Sequence, residues 1–320
     1  MRAAAILGPG CHRRHLKPFQ TDQTVEWRVG MPSSSDQADV ILLFGGDGTI
    51  HRHLAQMVQL GLPVLVVPAG SGNDFARALG LPRVRDSSAA WRLFCRGTNN
   101  VRLIDLGMIT PVEQGGGVVG SHELARESAP GTRYFCCAAG VGLDSEVSRR
   151  ASELPGWLRG HGGYALSLAP ALFRFAPLPV RIRTADNPGP TDTAPNPNPT
   201  SNSTWLTRSD QPTMLAAFAN TPTYGGGMKI APQAVMDDGQ LDACIIAGLD
   251  PLKLFCLFPT VYFGGHLNIR EVKYFQANRF RVETQTPFDV YADGEYVCRT
   301  PVEIRVAPKV LHVIVNPSSG

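Results

Sequence analysis

The sequence predicts an α/β fold for the N-terminal part of the chain and a β-rich fold for the remainder. Two apolar runs rich in β-branched residues, Val40–Phe44 and Val64–Val67, are each followed by a glycine-rich break and a helix-compatible segment, the order of a βα unit. From Val101–Met108 onward, alternation of apolar and polar residues replaces helical periodicity. With 320 residues, 43% of them hydrophobic, the chain is long enough for two domains with separate cores.

Composition excludes several classes of protein. The formal net charge is +3, from 30 basic and 27 acidic residues, which is too small to indicate a nucleic-acid partner. The seven cysteines lack CxxC spacing and predict buried thiols, with neither a disulfide framework nor a zinc site, since most lie in apolar runs (Cys136, Cys137, Cys244 and Cys256). The N-terminus has no signal-peptide cleavage pattern, and nowhere do about 18 consecutive apolar residues occur. We therefore expect a cytoplasmic protein that meets any membrane from its surface.

The α/β part begins with two strands. Ala3–Leu7 predicts the first, which ends in the turn Gly8-Pro9-Gly10, and Trp27–Val29 predicts a weak second strand. Cations follow the turn (Arg13, Arg14 and Lys17) and either approach a phosphate or form a solvated basic loop.

The first glycine-rich break, at residues 45–49, indicates a phosphate site. Because Gly45, Gly46 and Gly48 have no Cβ, their N–H groups can converge on an anion. A helix beginning near Thr49 directs its unpaired N–H groups at the same place. The Asp47 carboxylate would be repelled by phosphates unless a divalent cation stood between them, so the break predicts Mg²⁺ together with a nucleotide.

The second break, at residues 68–74, repeats this logic. Gly70 and the Ser71 hydroxyl precede Asn73 and Asp74, two residue types that favour the start of a helix. The alternative is that each break is an ordinary βα turn, with glycine at the strand exit and Asp or Asn as the helix cap. Two such loops side by side, each with a carboxylate, favour the nucleotide site.

The middle of the chain combines strands with two segments of other character. Tyr134–Asp144 predicts a strand that ends at glycines, and Asp144 then stands where it can cap a helix over Ser145–Leu154. Leu158–Phe175 has helical spacing and is expected to be a core helix. Residues 186–212 are rich in Pro, Asn and Thr and offer no apolar face, so we expect a mobile insertion between strands.

The remaining elements are strands and tight turns. Strands are predicted over Met214–Ala219, Leu241–Ile246 and Arg279–Thr284, and a last one over Val310–Val315. Asp293-Gly294 between alternating runs is the strongest hairpin signal in the chain, and residues 280–310 are expected to form an antiparallel meander.

The two glycine-rich breaks also carry a resemblance to a known family. GGDGT followed by PAGSGNDFAR resembles the catalytic domain of diacylglycerol kinase-type lipid kinases, a family that includes sphingosine and ceramide kinases. The resemblance implies an N-terminal three-layer α/β nucleotide-binding domain, similar to phosphofructokinase and NAD kinase, over residues 1–107 with the C-terminal strand at 310–320. It implies a β-sandwich over residues 108–309 that contains the insertion. It also places Asp144 at a position of the family's next motif and has Leu158–Phe175 help to line the lipid groove.

The same resemblance assigns site residues. It implies ATP on loops that include Gly45–His51 and Ser71, and it makes Glu295 the general base, which residue patterns alone do not single out. Glu295, Asp47 and Asp293 are the expected catalytic residues. If Asp293 mainly supports the hairpin turn, Asp293→Asn should be milder than Glu295→Gln, because Asn-Gly suits a type I′ hairpin as well as Asp-Gly does. The activity implied is transfer of the γ-phosphate to a hydroxyl of diacylglycerol or a related lipid.

A segment before Leu241 is similar to the family's P-x-A-x-x-D-D-G-x-L-D motif. Asp238 with the backbone carbonyls of Val235 and Gln240 is a candidate site for a hard cation, because oxygen ligands at these spacings can wrap a turn. The alternative is a plain Asp-Asp-Gly hairpin turn, and the two are compatible.

Two departures from the family pattern keep other functions open. His51-Arg52 stands where the family usually has Asn-Glu, and the usual N-terminal Asn-Pro turn is missing. The alternatives are a kinase for a sphingoid or other long-chain alcohol, and a nucleotide-binding regulatory protein with weakened turnover. A kinase for diacylglycerol or for a long-chain alcohol would dock peripherally on a membrane, helped by basic residues (Arg159, Arg174 and Lys253). A homodimer is the candidate assembly.

Overall fold

A computed structural model of the chain describes residues 1–20, 22–112, 131–143, 145–147, 149, 175–185 and 205–316. Several sequence predictions fall outside these residues: those for Asp144, for the end of the helix that follows it, for nearly all of Leu158–Phe175, and for residues 186–204 of the insertion. Among the described residues, none of the helices combines the length and the hydropathy that a membrane span requires.

The N-terminal part is a parallel sheet flanked by helices, which we call the first unit. Its strands pair in the order β2-β1-β3-β4, all parallel, and are β1 (Arg2–Leu7), β2 (Glu26–Val29), β3 (Val40–Gly45) and β4 (Val64–Pro68). Its helices are α1 (Asp47–Leu60), α2 (Asp74–Ala78) and α3 (Val84–Cys95). Every residue of β3 and β4 is buried, as expected for central parallel strands covered on both faces. The predicted α/β class is confirmed.

The described residues from Val101 onward, which we call the second unit, form a largely antiparallel β structure. It contains β5 (Val101–Pro111), β6 (Arg133–Phe135), β7 (Ala138–Gly142), β8 (Leu178–Thr184), β9 (Leu206–Ala219), β10 (Leu241–Ala247), β11 (Val272–Ala277), β12 (Arg279–Thr284), β13 (Asp289–Ala292), β14 (Glu295–Arg299) and β15 (Val302–Ile314). Between β10 and β11 lie α4 (Pro251–Leu257) and two short 3-10 helices, Phe258–Phe263 and Gly265–Asn268. Side chains from opposing strands meet in a separate apolar core around Phe218 and Phe280.

One long strand pair joins the two units. β5 and β15 run antiparallel from Val101↔Ile314 to Val302↔Pro111, with a register shift between Ala307 and Leu311 where Lys309 has a φ of 53°. Near its end β15 also pairs in parallel with β4, at Val313↔Val64. The C-terminal strand therefore returns to the first unit, and the boundaries predicted at residues 107 and 310 fall inside these two strands.

Three sequence expectations are corrected. Residues 280–310 are not a meander, because β12 pairs with β15 while β13 and β14 form a separate hairpin between them. Residues 206–212, assigned to the insertion, form the first half of β9 and pair with β8. Cys256 is exposed rather than buried, although Cys136, Cys137 and Cys244 are buried as predicted, and all seven cysteines are free.

Candidate active site

Glycine-rich loops meet at the carboxyl ends of the parallel strands, the edge of an open α/β sheet where ligands bind. The first loop, Gly45–Thr49, follows β3, and the second loop, Gly70–Asp74, follows β4. A Cβ placed on Gly70 would lie 2.5 Å from the Cα atom of Gly46, so the two backbones touch and only glycine fits. The loops therefore form one continuous surface at the N-terminus of α1.

The Asp47 carboxylate ties the two loops together. Its two oxygens accept hydrogen bonds from the N–H groups of Asp74, at 3.1 Å, and Phe75, at 3.0 Å, and so cap α2 from the neighbouring loop. Asn73 precedes α2 with a φ of 53°, and its side chain turns back to exchange two hydrogen bonds with the backbone of Gly70. Asp47 thus has a structural partner in addition to any ligand.

Negative charge is concentrated around Asp47. Burial, together with the charges of Asp74 and Asp293, raises the pKa of Asp47 to about 6, although the N–H groups of Phe75 and Asp74 oppose the shift. Asp74 and Asp293 are themselves buried. A group of hard, buried oxygen donors whose charges repel one another fits Mg²⁺, because a divalent cation would relieve that repulsion.

Asp74 connects the second loop to the second unit. It forms an ion pair with Arg77 and accepts a hydrogen bond of 2.6 Å from the N–H group of Gly226. Arg77 also donates to the carbonyl of Gly72, at 3.0 Å. The three glycines 225–227 have positive φ angles of 60°, 87° and 105°, which lets this backbone approach the loop closely. Arg77, which is not among the predicted site residues, thus supports the Asp74 carboxylate that contacts the second unit.

The predicted hairpin at Asp293-Gly294 is confirmed. The two turn residues have φ angles of 50° and 82°, the left-handed pair of a type I′ turn between β13 and β14. The turn projects Glu295 toward the first loop, where a Cβ placed on Gly48 would lie 2.9 Å from Glu295 Oε1. The structure therefore brings together Asp47, Gly48 and Glu295 from distant parts of the chain.

The Asp293 side chain does more than support the turn. It has no exposed surface and accepts hydrogen bonds from the N–H groups of Cys136, at 2.9 Å, Cys137, at 2.8 Å, and Ala138, at 3.3 Å. Its Oδ2 atom also lies 3.0 Å from His51 Nδ1. Asp293 thus fixes the hairpin both to the corner between β6 and β7 and to α1, in addition to forming the turn. Its assignment as a catalytic residue stays a prediction.

His51 and Arg52, the two departures from the family pattern, behave differently. Burial lowers the pKa of His51, but the hydrogen bond and charge of Asp293, joined by the charge of Glu295, outweigh it and raise the pKa overall. His51 is thus a largely buried cation or donor at the centre of the site. Arg52 is exposed, and its Nε atom donates to the carbonyl of Gly48 at 3.0 Å, one turn back on α1.

The two hydroxyl-bearing loop residues lie at different depths. Thr49 is buried at the first turn of α1, where a Cβ added to Gly8 would lie 2.8 Å from its Oγ1 atom. Ser71 is exposed at the outer end of the second loop. Their assignment to nucleotide binding stays a prediction.

The second candidate cation site lies apart from this cluster. Asp238 Oδ1 accepts a hydrogen bond from the N–H group of Gln240, at 2.9 Å, in a turn whose Val235 is 44% exposed. Buried Asp105 holds the turn through the N–H group of Gly239, at 2.7 Å. Among the described contacts, none joins this turn to the Asp47 cluster. Its occupation by a cation stays a prediction.

Two adjacent buried thiols lie beside Asp293. The ligand atoms of Cys136, Cys137 and Asp293 are close enough to hold an ion. Burial raises the pKa of Cys136 well above its usual value, and Cys137 has a pKa of about 12 because burial and nearby carboxylates outweigh its hydrogen bond to Cys136. Both residues contact the Asp293 carboxylate through their backbone N–H groups.

Family models match two segments of the chain. Residues 15–109 match the diacylglycerol kinase catalytic domain, and residues 137–315 match the YegS C-terminal NAD kinase beta sandwich-like domain. The chain is 32% identical to a diacylglycerol kinase of Mycobacterium tuberculosis, over 88% of this chain and 78% of that protein. It is 26% identical to a diacylglycerol kinase of Bacillus subtilis, over 86% of this chain and 77% of that one.

Solved structures show the same fold. A diacylglycerol kinase structure from Bacillus anthracis superposes with a TM-score of 0.64 at 17% identity and covers 100% of this chain and 98% of that one. An NAD kinase from Archaeoglobus fulgidus in complex with ATP gives a TM-score of 0.52 at 13% identity, with 99% and 95% coverage. The expected pairing of an α/β domain with a β-sandwich is confirmed.

Proposed function

Because the chain belongs to the diacylglycerol kinase-type family of lipid kinases, we propose that it transfers the γ-phosphate of ATP to a hydroxyl group of diacylglycerol. ATP as donor is supported by the fold shared with an NAD kinase that was crystallised with ATP. The observation that carries the proposal is the approach of Glu295, on a hairpin of the second unit, to Gly48 in the first loop.

The two glycine-rich loops receive the nucleotide in this proposal. Their glycines let backbone N–H groups approach phosphate oxygens, and the N-terminus of α1 adds a partial positive charge at the same place. His51, whose pKa is raised despite burial by the Asp293 hydrogen bond and by the charges of Asp293 and Glu295, lies one turn further along α1. The nucleotide thus lies on the first unit and faces the second. We keep the proposed boundaries of 1–107 with 310–320 for the nucleotide domain and 108–309 for the lipid domain.

Glu295 is the general base in this proposal. It is exposed at the start of β14, so its carboxylate can reach an incoming hydroxyl group. A carboxylate of ordinary pKa suffices, because phosphoryl transfer has a loose transition state and the acceptor proton leaves late. Asp293 and His51 then position Glu295 by holding the hairpin against α1.

The cluster around Asp47, with Asp74 and Asp293 next to it, would hold Mg²⁺, and Asp238 with the carbonyls of Val235 and Gln240 would form a second site. A bound cation neutralises charge on the transferring phosphoryl group. Asp47 keeps a second lone pair on each oxygen, beyond those used for Asp74 and Phe75, to direct toward such an ion or its water.

The identity of the acceptor decides between the candidate functions. Purified protein is incubated with labelled ATP, Mg²⁺ and a panel of diacylglycerol, ceramide, sphingoid base and long-chain alcohol, and labelled lipid is separated by chromatography. Label in phosphatidic acid is expected, and its loss in Glu295→Gln would exclude a contaminating kinase. Label only in the sphingoid product would favour the second enzyme, and nucleotide binding without any labelled lipid would favour the regulatory protein.

A further inference from the structure

The segment that follows β10 has two apolar faces. α4 (Pro251–Leu257) continues directly into the 3-10 helix Phe258–Phe263. One face lines an apolar cavity under the segment, with contributions from Leu254, Leu257, Phe258 and Val261. The opposite face carries four large apolar side chains that remain exposed: Leu252 at 64%, Phe255 at 48%, Tyr262 at 40% and Phe263 at 85%.

This concentration of exposed apolar surface is local. Among the described residues, the other exposed large apolar side chains are scattered over separate elements of the two units. A contiguous apolar patch costs free energy in water and indicates an interaction surface, whereas single exposed apolar residues need no explanation. We call Leu252, Phe255, Tyr262 and Phe263 the α4 patch.

The surroundings of the α4 patch favour a bilayer as its occupant. The cavity beneath it is lined almost entirely by aliphatic and aromatic side chains. The buried His266 also lines it, and the Nδ1 atom of this histidine has no hydrogen-bond partner among the described atoms. A hydrocarbon chain matches such a lining. Nε2 of His266 donates to the carbonyl of Ile230 at 3.2 Å, so Nδ1 can accept a hydrogen bond from a lipid hydroxyl group. Leu and aromatic side chains on a short helix are the residues that enter the interface of a membrane.

The rim of the α4 patch is positively charged. Lys253 pairs with Glu271 at 2.6 Å, and Arg270, whose side chain is 92% exposed, lies 3.3 Å from the same carboxylate. The exposed Lys229, whose backbone N–H group donates to the carbonyl of Val261 at 3.0 Å, adds a third cation. Three cations therefore stand beside two anions, Glu271 and the α4 N-cap Asp250, which leaves a net positive charge beside the patch. This charge complements anionic lipid headgroups. Arg159 and Arg174, the other basic residues expected to contact a membrane, lie outside the described residues.

We propose that the α4 patch lies on an anionic bilayer during turnover, with the apolar cavity opening toward the lipid chains behind it. The proposal rests on the proposed function, since a lipid kinase meets its acceptor in a membrane. It adds the surface used and the orientation that follows: the α4 segment faces the bilayer.

Vesicle binding tests the surface independently of catalysis. The double variant Leu252→Ser/Phe263→Ser is compared with wild type and with Leu206→Ser, which removes a side chain 54% exposed on β9. On vesicles of phosphatidylcholine and phosphatidylglycerol, the double variant should bind about 100-fold more weakly, because each of the two side chains contributes about tenfold in affinity through apolar transfer in wild type. The control should bind within about twofold of wild type. Binding should weaken with salt and without phosphatidylglycerol.

Two further measurements separate the possible failures. The double variant should retain turnover on a water-soluble short-chain diacylglycerol and keep its melting temperature, since the replaced side chains are exposed. The fluorescence of the tryptophan introduced by Phe263→Trp should be quenched by lipids brominated on their acyl chains. Unchanged vesicle affinity of the double variant, absent quenching, or a wild-type dimer that the double variant dissociates would overturn the proposal. Patch-dependent vesicle binding without any kinase activity would leave the docking surface intact and overturn the proposed function instead.

Discussion

Replacing Asp293 by asparagine should destabilise the protein far more than a substitution on an exposed hairpin normally does. The Asp293 carboxylate accepts three backbone hydrogen bonds, from Cys136, Cys137 and Ala138, and pairs with His51, all without exposure to water. Asparagine presents an NH₂ group on one side, so at least one buried N–H group of this corner faces another donor.

The magnitude follows from these contacts. A buried donor left without an acceptor costs about 1–3 kcal/mol, and removing one partner of a buried ion pair costs about 3–5 kcal/mol. Because the two losses overlap in one residue, we expect about 3–5 kcal/mol in total. For a chain of this size that corresponds to a decrease in melting temperature of about 5–10 °C.

Calorimetry of Asp293→Asn beside a control on the same hairpin tests the reasoning. Asp289→Asn removes a carboxylate that pairs at 2.9 Å with the mostly exposed Arg299, and an exposed pair is worth about 0–1 kcal/mol. The control should therefore melt within about 2 °C of wild type. An Asp293→Asn protein that melts like the control would refute the role assigned to the buried carboxylate.

Three further predictions concern the same cluster. Gly48→Ala adds a Cβ 2.9 Å from Glu295 Oε1, so kcat should fall at least about tenfold. The melting temperature should hold or rise, because alanine stabilises a helix by about 1 kcal/mol relative to glycine. An unchanged kcat would show that Glu295 does not act next to Gly48. The pKa of His51 is raised above its ordinary value of 6.5 in the folded protein. Its contribution to the free energy of unfolding is therefore fully present below about pH 6.5 and is lost as the pH rises through the folded-state pKa. The wild-type melting temperature should fall across that window and that of His51→Asn should not, whereas parallel curves would contradict the pairing with Asp293. Asp47, with a pKa of about 6, should bind Mg²⁺ only when ionised, so the rise in melting temperature on adding Mg²⁺ should be clear at about pH 7.5, small at about pH 5 and absent in Asp47→Asn. A rise that is independent of pH would remove Asp47 from the cation site.

The sequence predicts the elements of this fold that depend on local signals. The β-branched runs at Val40–Phe44 and Val64–Val67, each followed by glycines, indicate β3, β4 and the helices after them, and Asp293-Gly294 indicates the hairpin. These features follow from backbone preferences within a few residues, so a single sequence suffices.

The sequence does not predict features that depend on distant partners. The partners of Asp293 lie 157 and 242 residues away at Cys136 and His51, so nothing beside Asp293 distinguishes a buried carboxylate from a turn residue. The pairing of β12 with β15 likewise skips the intervening hairpin, which local alternation cannot indicate. Residues 206–212 have the composition of a loop and become part of a strand because β8 pairs with them.

The turnover of Glu295→Gln tests whether Glu295 is the general base. We expect a decrease in kcat of about two to four orders of magnitude, the usual loss when a general base is removed. Affinity for ATP and the melting temperature should remain close to wild type, because Glu295 is exposed on the second unit while the nucleotide loops belong to the first. A Glu295→Gln protein that phosphorylates lipid at the wild-type rate would contradict the assignment of the base and the site built around it.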